Sequence, residues 1–80
     1  MVTLRYFAAA RDATGTGGEQ GSGSTVGAVL DDAVARHGAS LADVLRISKV
    51  WLNGEPAQRA DLLAEGDEVA VLPPVSGGAS

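Results

Sequence analysis

Apolar and polar positions alternate from the first residues of the chain. Val2, Leu4 and Tyr6 fall on one side and Thr3 and Arg5 on the other, a period of two that predicts an opening strand with one buried face. Phe7 falls on the opposite side to Tyr6. Ala8–Arg11 suits a short helical turn, which Gly15, Gly17 and Gly18 bring to an end. Residues 17–24, Gly-Gly-Glu-Gln-Gly-Ser-Gly-Ser, are poor in strand formers. They read either as a flexible linker or as a short, weak second strand around Glu19–Gly21, antiparallel to the first.

The period then changes. Val26, Val29, Leu30, Ala33 and Val34 fall at i, i+3, i+4, i+7 and i+8, one apolar stripe of an amphipathic helix. Thr25 or Ser24 suits the N-cap and Gly38 the C-terminal stop. Asp31, Asp32 and Arg36 fall on the polar side, and His37 in the last turn, where the helix dipole favours a cation; His37 reads as a structural residue. Leu41–Ile47 reads as a connection. Lys49–Asn53 reads as a strand closed by the Asn53-Gly54 turn. After Pro56, Ala57-Gln58 suits a brief edge strand and Asp61-Leu62-Leu63 a short turn of helix. Gly66-Asp67 turns the chain into Glu68–Leu72, whose aliphatic run predicts a central strand buried on both faces. Pro73-Pro74 stop it, since neither donates a ladder hydrogen bond.

Hairpin, crossover helix and further strands make an α+β roll: a β-grasp (ubiquitin-like) mixed sheet of four to five strands with one main helix on one face. The first and last strands are expected side by side at its centre. Residues 1–74 form the domain and residues 75–80 a C-terminal tail.

Composition narrows what such a domain does. Eighty residues make one core, and at that size only ~60 % of the unfolded chain's surface is buried. A formal charge of −4 with six scattered cations argues against nucleic acid, which needs a basic face. No apolar run approaches the roughly 18 residues that cross a bilayer, and the N-terminus lacks a signal-peptide pattern; a cytoplasmic protein without a membrane partner is expected. Cysteine is absent and His37 is the one histidine. Thiolate nucleophiles, zinc sites and His-based triads are therefore not expected, nor any metal or bound cofactor. The chain reads as something other than a stand-alone enzyme.

What remains is the tail, Val75-Ser76-Gly77-Gly78-Ala79-Ser80. The run Gly66-Asp67-Glu68-Val69-Ala70-Val71-Leu72-Pro73-Pro74-Val75-Ser76-Gly77-Gly78 resembles the C-terminal signature of the molybdopterin synthase small subunits and related ubiquitin-like sulfur carriers. Residues 2–12 resemble that family's opening strand and turn, Thr25–Leu30 its helix start, and Val50–Gly54 its third strand. The resemblance implies a non-catalytic carrier. An ATP-dependent, E1-like activating enzyme adenylylates the terminal glycine carboxylate, a sulfur donor converts it to a thiocarboxylate, and the molybdopterin synthase large subunit receives the sulfur. Gly77 and Gly78 are then the working residues. Phe7, Arg11, Leu72, Pro74, Val75 and Ser76 are the candidates for contact with partners, although Phe7 and Leu72 equally suit a core. The family pattern stops at the second glycine, whereas Ala79-Ser80 follow here. A processing protease that removes them, such as the zinc JAMM-type enzymes of some related carriers, an extension foreign to the natural chain, or a relative without carrier function would each account for this. The same tail also suits a carrier for thiamine, cysteine or a thio-metabolite, or a β-grasp interaction module that carries no sulfur.

Overall fold

The computed structural model describes residues 1–74; the tail positions singled out above, Val75, Ser76, Gly77, Gly78 and Ala79-Ser80, lie outside the described residues. Strand β1 (Val2–Tyr6) leads into helix α1 (Ala8–Thr14), and β2 (Gly18–Gly21) returns antiparallel to β1. Helices α2 (Val26–His37) and α3 (Ala39–Arg46) follow, then β3 (Lys49–Leu52), β4 (Glu55–Pro56) and β5 (Glu68–Leu72). The sheet order is β2-β1-β5-β3-β4. The first and last strands do lie side by side, in parallel, with Leu4 beside Val69 and Tyr6 beside Val71. This is the mixed, ubiquitin-like α+β architecture that the hydrophobic pattern implies.

The core sits on one face of the sheet. Val2, Leu4, Tyr6, Val69 and Val71 point toward Val26, Val29, Leu30 and Ala33 of α2, with Ala10 of α1 and Leu41 of α3 closing the ends. Each large aliphatic side chain fully buried there is worth about 1.5–3 kcal/mol relative to exposure. Thr25 caps α2, its hydroxyl accepting the Ala28 N–H at 3.1 Å. Gly38 stops the helix at φ 89°, a left-handed value that a side chain rarely tolerates, and donates its N–H to the Val34 carbonyl at 2.7 Å.

The weak second strand is held by a polar cluster rather than by its own apolar residues. The Glu19 carboxylate accepts the Tyr6 hydroxyl at 2.6 Å, the Arg36 guanidinium at 2.6 Å and His37 Nε2 at 2.6 Å. Because a carboxylate only accepts, His37 carries its proton on Nε2 in this contact. The Tyr6 and His37 rings meet edge-on, 6.0 Å apart. Arg36, placed toward water by the helical pattern, therefore spans Glu19 and Asp32, and His37 is structural as expected.

Five local expectations are corrected. Leu41–Ile47 is largely helical: α3 runs Ala39–Arg46 and buries Leu41. The initial helical turn extends to Thr14. The edge strand is Glu55–Pro56, because the two-residue Asn53-Gly54 turn (φ 51° and 86°) sets Glu55 opposite Leu52 and Pro56 opposite Trp51. With Ala57 N–H bonded to the Val50 carbonyl, ladder alternation leaves Pro56 at a position that needs no N–H. Asp61–Leu63 is extended: Leu62 bridges Thr25, and Leu63 N–H reaches the Ser24 carbonyl. Asp61 instead accepts the Gln58 N–H at 2.8 Å, the competing side-chain bond that short polar residues offer. Finally, β5 is central in position but buried on one face only, with Val69 and Val71 inside and Glu68, Ala70 and Leu72 half-buried.

Candidate functional site

Residues that point away from the helices meet on the outer face of the sheet. Register places Arg5 and Trp51 on either side of Ala70, and Lys49 beside Leu72. Phe7 lies one residue past the Tyr6–Val71 pair, in the row of Leu72. Ala70 is the smallest side chain of this set. Phe7 is 41 % exposed and Trp51 37 %, so neither belongs to the core. The choice between core and surface for Phe7 is thus settled toward surface, and Leu72 is likewise absent from the buried cluster.

The strand order also fixes where the tail leaves the domain. β5 ends at Leu72, and Pro73-Pro74 follow at the rim of a depression of about 260 Å³ lined by Ile47, Lys49, Trp51, Leu72, Pro73 and Pro74. Ile47, at the end of α3, is 64 % exposed. The lining of this depression is mostly apolar, with Lys49 its one charged residue.

Cations frame the apolar surface. Arg5 stands 5.9 Å from the centre of the Phe7 ring, within cation–π range, and pairs with Glu68 at 3.2 Å. Arg11, the cation expected here from the sequence, is placed elsewhere: its side chain lies by Gly17, where a Cβ would come within 3.7 Å of its Cδ, on the β2 side of the sheet. Leu72 and Pro74 line one depression and Phe7 falls in the row of Leu72; Arg11 is not with them. The members missed in the sequence are Arg5, Lys49, Trp51 and Ile47. The alternation that put Phe7 opposite Tyr6 also puts Arg5 there, so this signal was available for the first of them.

The chemistry of the described residues is sparse. None of them form a group of three or more His, Asp or Glu able to hold a metal ion, and no helix among them is long and apolar enough to cross a membrane. Two ionisable groups with shifted pKa values, Tyr6 and Glu19, lie on β1 and β2, away from the depression. Burial first, then the Glu19 carboxylate, pushes the Tyr6 phenol above its ordinary value. Burial works to raise the Glu19 carboxyl, but hydrogen bonds from Tyr6, His37 and Arg36 outweigh it and hold the group below the usual carboxylate range. Asp67 is also lowered, by the Ala64 N–H and the Asn53 amide, a turn-stabilising role at the start of β5.

Residues 4–78 match the ThiS family. The chain belongs to the ThiS family. The match runs through Gly77 and Gly78. This ThiS-family chain is 35 % identical to the molybdopterin synthase sulfur carrier subunit of Chlamydomonas reinhardtii, over 83 residues covering 98 % of the chain and 99 % of that relative. Among solved structures, SAMP1 from Haloferax volcanii superposes with a TM-score of 0.80 at 33 % identity, covering 96 % of this chain and 98 % of that one. A chain of the Amycolatopsis orientalis BexX/CysO complex superposes with a TM-score of 0.79 at 27 % identity, covering 98 % and 100 %. The protein is thus a β-grasp member of a ubiquitin-like sulfur-carrier family, and relatives in that family are found bound to partner proteins.

Proposed function

We propose that the protein carries sulfur as a thiocarboxylate on Gly78, as the small subunit of molybdopterin synthase. The observation that carries this reading is the exit of β5: Pro73-Pro74 lie against an exposed apolar surface, and the family match continues from there through Gly77-Gly78. A partner that covers Phe7, Trp51 and Leu72 has the terminal glycine within its reach, since Ser76–Gly78 span at most ~10 Å when extended. Glycine lacks a Cβ and fits a narrow channel in either sign of φ.

The chemistry resides on the main chain. A Gly78 carboxylate oxygen attacks the α-phosphate of ATP in an E1-like activating enzyme, pyrophosphate leaves, and an acyl-adenylate forms. Hydrosulfide supplied by a sulfur donor then attacks the acyl carbon and expels AMP, leaving the thiocarboxylate. The large subunit of molybdopterin synthase draws on that sulfur. The carrier contributes no acid, base or metal ligand to these steps. Because the reactive carboxylate must be terminal, a protease removes Ala79-Ser80 first.

The test uses the chain ending at Gly78. Incubated with the activating enzyme, ATP and a sulfur donor, it should gain the mass difference between one sulfur and one oxygen. Gly78→Ala should leave folding unchanged and depress thiocarboxylate formation and transfer severely. No acyl-adenylate with any cognate activating enzyme would instead leave the protein an interaction module. The likeness to SAMP1 and to a chain of the BexX/CysO complex favours a second reading, a carrier for another sulfur acceptor. Capture of a molybdopterin synthase large subunit separates the two.

A further inference from the structure

We propose that Asn53-Gly54 is a self-modification site, at which Asn53 deamidates when the chain opens and is protected while the chain is folded. Asn53 is the one asparagine of the chain, and a glycine follows it. Glycine has no Cβ to shield its nitrogen, so after a glycine-side attack the ring closes with little steric cost. The Gly54 nitrogen bonds to Asn53 Cγ, the Cγ–Nδ2 bond breaks, and ammonia departs with the Gly54 amide proton. Water then opens the succinimide at either carbonyl, giving aspartate or isoaspartate. Water is the only co-reactant, and the inference is independent of sulfur transfer.

Both residues of the turn are exposed, so water reaches them freely. What withholds the reaction is the bonding of the side chain itself. Asn53 Nδ2 donates to Asp67 Oδ1 at 3.0 Å, and Asn53 Oδ1 accepts the Glu68 N–H at 2.9 Å. The Asn53 N–H donates in turn to the Glu68 carbonyl at 2.9 Å. Asp67 is itself fixed, its other oxygen accepting the Ala64 N–H at 2.7 Å. The carboxamide is thus tied at both ends to the start of β5. Those bonds must break before it can swing onto the Gly54 nitrogen.

The product does not fit the place it leaves. Aspartate at position 53 puts a carboxylate where an amide donated to Asp67, and like charges in contact repel. Isoaspartate adds a methylene to the main chain within a two-residue turn. The register that pairs Leu52 with Glu55 and Trp51 with Pro56 cannot be kept across it. Each chain that stays open long enough is therefore marked, and returns in a less stable form.

The experiment follows intact mass and isoaspartate content of the full chain in mildly alkaline buffer, with and without denaturing guanidinium chloride. The unfolded chain should deamidate at least about tenfold faster than the folded one, equivalent to a local opening cost of about 1.4 kcal/mol. Peptide mapping should place the change at Asn53. Asp67→Ala and Glu19→Gln, compared at denaturant concentrations that leave equal fractions folded by circular dichroism, separate the clamp from general unfolding. Asp67→Ala should deamidate faster, since only it loses a bond to the carboxamide. Asn53→Asp, a mimic of one product, should have a lower denaturation midpoint than the parent. Equal rates in the folded and unfolded parent, no deamidation in either, or equal rates in the two matched variants would overturn the proposal. So would an Asn53→Asp variant as stable as the parent.

Discussion

The two faces of one sheet are built from the same strands and do different things. On the inner face Val2, Leu4, Tyr6, Val69 and Val71 are buried against three helices. On the outer face the alternate residues Arg5, Phe7, Ala70 and Leu72, with Lys49 and Trp51 across the register, leave aromatic and aliphatic surface to solvent and place cations around it. A period-two strand shifts every side chain to the other face on a one-residue slip, so the contrast is set by register alone. Stability is concentrated on one face, and recognition is free to use the other.

The comparison breaks most visibly at Leu4. Leu4→Ala removes a fully buried side chain and should cost about 2–5 kcal/mol, read as a lower urea midpoint with an unchanged m-value. A loss as small as that of a surface substitution would mean the inner face is not the source of stability. Gln at position 19 should cost less, about 1–3 kcal/mol, because Glu19→Gln weakens three charge-assisted or short hydrogen bonds at once. The loss should appear as faster hydrogen exchange confined at first to Gly18–Gly21. Phe7→Ala is the smallest in stability, within roughly 0.5 kcal/mol for a surface position. It should nonetheless weaken capture by the activating enzyme or large subunit by about tenfold. Equal effects of Leu4→Ala and Phe7→Ala on the urea midpoint would erase the distinction between the faces.

The Glu19 cluster adds a pH signature. The folded Glu19 carboxyl lies below the usual value, so its contribution is complete above the unfolded pKa of about 4.3 and is lost as pH falls through the lower folded value. The folded Tyr6 phenol lies above its ordinary value. Its contribution is complete below about pH 10 and is lost as pH rises beyond that toward the folded value. The thermal midpoint of Glu19→Gln should therefore vary less on the acid side than that of the parent, and that of Tyr6→Phe less on the alkaline side. An acid limb unchanged by Glu19→Gln would show that another carboxyl governs it.

The strands and helix that bury a clear apolar stripe were legible from spacing: β1, α2, β3 and β5 stand where the pattern put them. α3 was not, although Leu41, Val44 and Leu45 have helical spacing. It is eight residues long, lacks a side-chain cap, and starts from the same Gly38 that ends α2, so it is held by packing of Leu41 rather than by local signals. β2 could not be chosen over a linker because what fixes it is Glu19 reaching Tyr6 and two residues of α2, contacts that span 13 to 18 positions. The outer face was read in part. Phe7 and Leu72 follow from alternation, but the partnership of Arg5 and Trp51 across Ala70 requires β1 and β3 to flank β5, which sequence spacing does not state. Arg11 was assigned to that face by resemblance, and the course of α1 takes it toward Gly17 instead.

Intact mass of the protein isolated from its own cells tests the central claim most directly. The account predicts chains ending at Gly78, a fraction of them heavier by the exchange of one oxygen for sulfur and returning to the carboxylate mass on hydrolysis. A population that uniformly keeps Ala79-Ser80 and carries no sulfur, even in cells with an active sulfur-transfer pathway, would contradict it.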